Sequence, residues 1–232
     1  MKITVIYGTQ RKSKSSTYNI AQQFIKCLSN GDSVSEFFLP KDMPKFCSGC
    51  WNCFTDSTKC PHYDYLKPIT DAMDEAELLI FTAPVYVYHV PGQVKAFLDH
   101  FGYRWMPHQP NKNMFRKRAL LISTAAGAGT KSTLRDLEDS MMFWGVARTY
   151  TFSKHVRAAD WDTVDIKLKS KIQNDVKKLS NKIISESHNF TPSLKVKALF
   201  YAMKYMQIRF HYNSADVEYW KEHGWLGKEK PW

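Results

Sequence analysis

Short β-branched runs alternate with amphipathic helical stretches from residue 2 to about residue 188. No other feature of the chain limits its fold so strongly. "KITVIYG" reads as a buried strand closed by a glycine. In "SSTYNIAQQFIKCLSNG" the residues Ile20, Phe24, Ile25 and Leu28 fall at helical spacing, with Ser16 or Thr17 as the cap. "SVSEFFL" is a second strand. "LKPITDAMDEAE" is a helix with Pro68 in its first turn. "LLIFTAPVYVY", "RALLISTAAGAG" and "VARTYTFS" are further strands. Between and after them lie three helices: "VPGQVKAFLDHFGYRW", "TKSTLRDLEDSMMFWG" and a long basic one over "DTVDIKLKSKIQNDVKKLSNKIISES". Such alternation builds βαβ units, and therefore an α/β fold with a parallel sheet covered on both faces. Five strands suit the doubly wound order 2-1-3-4-5. A ligand of such a sheet sits beyond the carboxyl ends of the strands. The loops that count are therefore 8–17, 84–92 and 124–130.

The alternation stops after residue 188, which sets the expected organisation as a domain over 1–188 and a helical extension over 189–232. "TPSLKVKALFYAMKYMQIRFHYN" is a helix pattern with Val196, Leu199, Phe200, Met203, Met206 and Phe210 in one stripe. The tail "DVEYWKEHGWLGKEKPW" carries three tryptophans, a surface too apolar to leave unpaired. No apolar run reaches the roughly 18 residues that span a bilayer, and the start lacks a signal-like apolar segment. A soluble, cytoplasmic protein is expected. The net charge of +11 calls for an anionic ligand or simply a solvated basic surface. No nucleic-acid-binding pattern accompanies it, so neither a nucleic-acid partner nor membrane contact is expected.

"YGTQRKSKSST" joins the first strand to the first helix. It offers hydroxyls at Thr9, Ser13, Ser15, Ser16 and Thr17 and cations at Arg11, Lys12 and Lys14, beside a helix N-terminus. That combination holds phosphate. A dinucleotide fingerprint is excluded, since Gly8 stands alone. "GAGTKST" misses the P-loop spacing. "APVYVYHV" supplies a partly aromatic wall for a flat heterocycle, and "TAAGAGT" is small enough for backbone to approach a ring closely. Three loops at one sheet edge thus offer phosphate binding, stacking and close approach.

Four of the five cysteines lie in "CSGCWNCFTDSTKC", within an irregular insertion over 40–62 that leaves the sheet on the same side. Successive two-residue gaps at Cys47, Cys50 and Cys53, with Cys60 after six more residues, suit an iron–sulfur loop better than the separated pairs of structural zinc. Free thiols are the other reading. Disulfides are not expected in a reducing compartment. Cys27 reads as a small core residue.

These motifs together resemble the flavodoxin-like NAD(P)H-dependent FMN reductases, in particular the iron–sulfur flavoprotein branch. The family's G-S-P-R-K-x-G-N-T loop corresponds to "GTQRKSKSST", and its C-x2-C-x2-C-x(4–7)-C segment to Cys47, Cys50, Cys53 and Cys60. Its P-V-Y-x3-V-x-G-x-x-K-x-F-x-D-R motif corresponds to "PVYVYHVPGQVKAFLDH", with His100 where arginine is usual. The resemblance covers about residues 1–185. It implies FMN phosphate contacts at Thr9, Arg11, Ser13, Ser16 and Thr17. It implies ring contacts at Pro84, Val85, Tyr86, Val87, Ala125, Gly127 and Gly129. It further implies NAD(P)H as reductant, a small-molecule acceptor, and a homodimer or homotetramer, and it leaves the four cysteines either as ligands of a possible [4Fe–4S] cluster or as free thiols in a cluster-free loop. Tyr88 and His89 then fall near the open face of the ring. No residue is assigned a catalytic role, because hydride transfer between nicotinamide and flavin needs no protein acid or base. A non-enzymatic flavin or iron–sulfur electron carrier, or a redox sensor, is the alternative on the same fold.

Overall fold

The computed structural model describes residues 1–186 and 191–232. The expected boundary at 188/189 lies outside the described residues. Five parallel strands form one sheet: β1 (Ile3–Tyr7), β2 (Val34–Phe38), β3 (Leu78–Pro84), β4 (Arg118–Ala125) and β5 (Arg148–His155). Their order is β2-β1-β3-β4-β5, as the alternation predicts. The register sets Ile3 beside both Val34 and Leu78, and carries on through Leu78–Arg118 and Arg118–Arg148.

Helices α1 (Ser16–Leu28) and α5 (Ile166–Ser185) cover one face. There Ile20, Phe24, Ile172 and Val176 pack on Val5, Ile80 and Phe152. Helices α2 (Tyr63–Glu75), α3 (Gly92–Asp99) and α4 (Thr130–Phe143) cover the other face. There Ile69, Met73, Phe97, Leu137 and Met141 pack on Ile6, Phe81 and Leu121. The central strands β1, β3 and β4 are apolar almost throughout, because helices bury them from both sides.

Three local readings are corrected. Ser15, not Ser16 or Thr17, caps α1, its hydroxyl accepting from Tyr18 N–H. Helix α2 starts at Tyr63, so Pro68 lies inside it rather than in its first turn. Helix α6 (Leu194–Phe210) buries Val196 and Phe200, but Phe210 faces solvent and Gln207 is buried in the stripe.

The extension docks on its own chain. Helices α6 and α7 (Ser214–Glu222) enclose Phe200, Trp220 and Trp225 against Met106 and Phe115, which precede β4. Phe200 stacks on Trp220 at 5.0 Å between ring centroids. The Trp220 indole N–H donates to the His108 carbonyl at 2.8 Å. No described helix is long and apolar enough to cross a membrane.

Candidate functional site

Where the strands end, a hollow of about 170 Å³ opens between the loops after β1, β3, β4 and β5. Of the expected residues, Thr9, Arg11, Ser16, Pro84, Val85, Tyr86 and Ala125 line it. Thr9 and Ser16 are buried hydroxyls beside the N-terminus of α1, and Arg11 adds a cation. Hydroxyls, a helix N-terminus and a guanidinium form the donor set a phosphate needs.

Gly8 has a steric reason to be glycine. Its N–H donates to the Thr82 carbonyl at 2.8 Å, and a Cβ would stand 2.6 Å from both that oxygen and Val94 Cγ2. The first loop can therefore hug β3 only without a side chain there. Val85 N–H donates to the Thr124 carbonyl at 2.9 Å, and Val156 N–H to the Ala125 carbonyl at 2.8 Å, which lace the other loops together.

The loop after β3 is a tight turn. Tyr86 and His89 exchange two backbone hydrogen bonds of 3.0 Å, with Val87 and Tyr88 between them at φ 47° and 68°. Asn-Gly is the usual pair in such a turn, so a β-branched and an aromatic residue hold strain there. Helix α4 keeps the turn in place. Asp136 accepts from His89 Nδ1 at 3.0 Å and from Val90 N–H at 3.2 Å, and Ser132 Oγ donates to the Tyr88 carbonyl. Gly129 at φ 98° lets the chain pass Val85, whose Cγ1 a Cβ would meet at 2.6 Å. Val87, 94% exposed, projects from the turn and lies off the hollow.

Ser13, Thr17, Gly127 and Gly129 also lie off the hollow. Ser13 is exposed, and its carbonyl accepts from Asn19 Nδ2. Thr17 is buried with its hydroxyl 2.9 Å from that of Ser15. The sequence reading missed Val156, Ala158 and Ala159, which line the hollow with Ser15, Thr124 and Ala126 of the two expected loops. It also missed Asp160, whose carboxylate pairs with Arg11, while Arg11 Nη1 donates to the Ala159 carbonyl at 3.0 Å. The available signal was topological: β5 ends on the same edge, and "VRAAD" follows it.

The four clustered cysteines line a second hollow of about 200 Å³, together with Phe54, His62 and His100. Cys47 and Cys50 are exposed, whereas Cys53 and Cys60 are half-buried. Burial, followed by the charges of Cys60, Cys47 and Cys50, pushes the Cys53 thiol up to about 11. The four sulfurs therefore feel one another. Among the described residues, no three His, Cys, Asp or Glu side chains form a group compact enough to hold a metal ion.

His100, in the place of the usual arginine, donates from Nδ1 to the Ala96 carbonyl at 2.8 Å. Its Nε2 then accepts from His62 Nδ1 at 3.1 Å. Burial lowers the His100 pKa, and the neutral ring fits this arrangement. On the outer side of the loop, Gln109 Nε2 donates to the Phe54 carbonyl at 2.8 Å and ties the cysteines to the segment that carries the C-terminal helices.

Comparison with known proteins agrees with this architecture. An iron–sulfur flavoprotein from Archaeoglobus fulgidus is 22% identical over 229 residues, covering 97% of this chain and all of that protein. An iron–sulfur flavoprotein from Clostridioides difficile is 23% identical, covering 97% of this chain and 99% of the relative. The crystal structure of an FMN-dependent NADH-azoreductase from Bacillus anthracis, in complex with FMN, shares the fold with a TM-score of 0.58 at 11% identity. That match covers 79% of this chain and 99% of the azoreductase. The family model described as NADPH-dependent FMN reductase matches residues 1–160. The chain therefore belongs to the NADPH-dependent FMN reductase family and is an NAD(P)H-dependent flavin oxidoreductase.

Proposed function

We propose that the protein takes electrons from NAD(P)H onto FMN held at the carboxyl edge of the sheet and passes them to a quinone, a free flavin or another small acceptor. The observation that carries this reading is the convergence of Thr9, Ser16, Pro84, Tyr86 and Ala125, from three separate loops, on one hollow. Thr9, Arg11, Ser15 and Ser16 bind the phosphate. Thr17 orients the Ser15 hydroxyl, and Ser13 belongs to the same loop as an outer contact. Pro84, Val85 and Tyr86 form one wall for the ring, and Ala125 with the small residues up to Gly127 and Gly129 lets backbone approach it. FMN supplies the hydride-accepting chemistry, while these residues orient the ring and exclude water from its buried edge.

Tyr86, Val87 and Tyr88 are exposed beside the hollow. That is the condition expected where a second copy completes the ring site, so a homodimer or homotetramer is part of the reading. A cytoplasmic location fits the free cysteines.

We further propose that Cys47, Cys50, Cys53 and Cys60 hold a [4Fe–4S] cluster, which supplies one-electron transfer when bound. Four thiols around one hollow support it, as does full-length similarity to two proteins named as iron–sulfur flavoproteins. The protein's part is to keep these thiols on one loop, with Cys53 shielded from water.

The test is the visible spectrum of protein purified without air, with iron and zinc quantified. Flavin bands with about four irons per chain are expected. Flavin without iron removes the cluster, and no flavin at saturating FMN removes the whole reading.

A further inference from the structure

Helix α6 carries two apolar stripes, and the fold uses one of them. The inner stripe, Val196, Phe200 and Met203, packs into the aromatic cluster around Trp220. The outer stripe is Leu194, Ala198, Tyr201, Tyr205 and Ile208, all exposed, with Leu194 at 85% and Tyr205 at 64%. Steps of four and three residues alternate along it, which is the a/d repeat of one coiled-coil half. It runs for about 21 Å of helix. A stripe confined to a and d is the narrow seam that receives another helix, whereas a helix lying on lipid presents a wider apolar face. Lys195 and Arg209 flank the seam at e, and Lys197 and Lys204 flank it at g, with Ala202 at the remaining e position. No Asp or Glu occurs from Leu194 to Tyr212. Lys204 donates to the Gly227 carbonyl, and Lys197 Nζ lies 5.8 Å from the centre of the Trp232 ring, so the docked tail holds both g-side cations beside the seam.

We infer that the outer face of α6 is the docking site for an acidic amphipathic helix of another protein, with apolar residues at a and d and carboxylates at e and g. Charge selects this occupant over a second copy of the chain. A parallel pair sets e against g, and an antiparallel pair sets e against e and g against g. Either pairing of two α6 helices therefore brings cation onto cation. A helix with glutamates at those positions gains ion pairs along both flanks and covers the exposed tyrosines. Packing of the inner stripe already holds α6 as a helix, so its side of the pair needs no further ordering. The assignment is independent of what the flavin edge does.

The probe is a fluorescent three-heptad peptide with Leu at a and d and Glu at e and g, titrated with the full FMN-saturated chain and read by anisotropy. It is expected to bind at least tenfold more tightly than a peptide of the same composition whose leucines are moved out of heptad register. The same margin is expected over the peptide with Lys in place of Glu. Tyr205→Glu, which sets a carboxylate in the seam, is expected to weaken binding at least tenfold. Lys195→Glu combined with Arg209→Glu is expected to cut the preference for the Glu peptide over the Lys peptide at least tenfold. All three substituted residues are exposed, and the FMN affinity of each variant reports an intact fold. If a variant does not fold, the peptide comparison on the unaltered protein decides alone. Equal affinity for the in-register and shuffled peptides overturns the inference, because charge alone would then account for binding. Failure of the Glu peptide to bind overturns it as well. So does co-sedimentation with phosphatidylglycerol vesicles without peptide binding, which would make the face a lipid contact. Dimerisation that Tyr205→Glu abolishes would make it a contact between copies and would equally overturn the inference.

Discussion

The flavin edge and the cysteine hollow differ in what builds them. The first is made by topology. Four strands end together, and the loops that leave them meet without help from distant sequence. The second is made by docking. Its ligand-type residues sit on one irregular loop, but its outer support comes from the segment before β4 and, behind that, from α6 and α7. A site of the first kind is as stable as the sheet. A site of the second kind inherits the stability of whatever is packed on it.

Trp220→Ala should separate the two most strongly. It deletes a fully buried ring that stacks on Phe200 and donates to the His108 carbonyl. A cost of about 4 kcal/mol is expected. Urea unfolding followed by tryptophan fluorescence should show the extension melting first, with cysteine labelling accelerated before flavin is lost. A single unaltered transition would break the distinction. Gly8→Ala attacks the other side. The added Cβ meets the Thr82 carbonyl and Val94, and a loss of about 3 kcal/mol together with FMN affinity is expected in denaturant titration. Ser15→Ala removes the cap of α1 and should cost about 1 kcal/mol of stability, with weaker FMN binding by calorimetry.

The fourth prediction leaves stability untouched. In metal-free protein the Cys53 thiol, pushed up to about 11, is the protonated and shielded member of its cluster. Its alkylation by iodoacetamide should rise roughly tenfold per pH unit from pH 8 and level off only near pH 11. The exposed Cys47 and Cys50 should react first at pH 8. Mass spectrometry of the labelled peptides reads both. A Cys53 rate that levels off below pH 9 would mean the loop is open rather than docked.

The same contrast explains what the sequence revealed. Strand order and the hollow-lining Thr9, Arg11, Ser16, Pro84, Val85, Tyr86 and Ala125 were legible, because period and loop position determine them. Asp160 was not, since an acid two loops away carries no local mark of its pairing with Arg11. The tight turn at Val87–Tyr88 was equally hidden, because those residues deny the usual turn chemistry and the Ser132 and Asp136 contacts from α4 that help hold it leave no local mark. Cysteine spacing identified the loop, but neither the His62–His100 pair nor the Gln109 tether could be read from it. The first joins two side chains across 38 residues of chain, and the second joins a side chain to a backbone carbonyl across 55. Phe210 was misplaced because apolar residues occur around both sides of α6, so the inner stripe had no unique phase.

The account's central claim is that the loop capping α1 grips a phosphate while the strand ends carry the ring. The most direct measurement is the affinity of the flavin-free protein for FMN against riboflavin, which differ only in that phosphate. At least a hundredfold preference for FMN, about 2.7 kcal/mol, is predicted. Equal affinities would contradict the account, because the first loop would then be no part of the site.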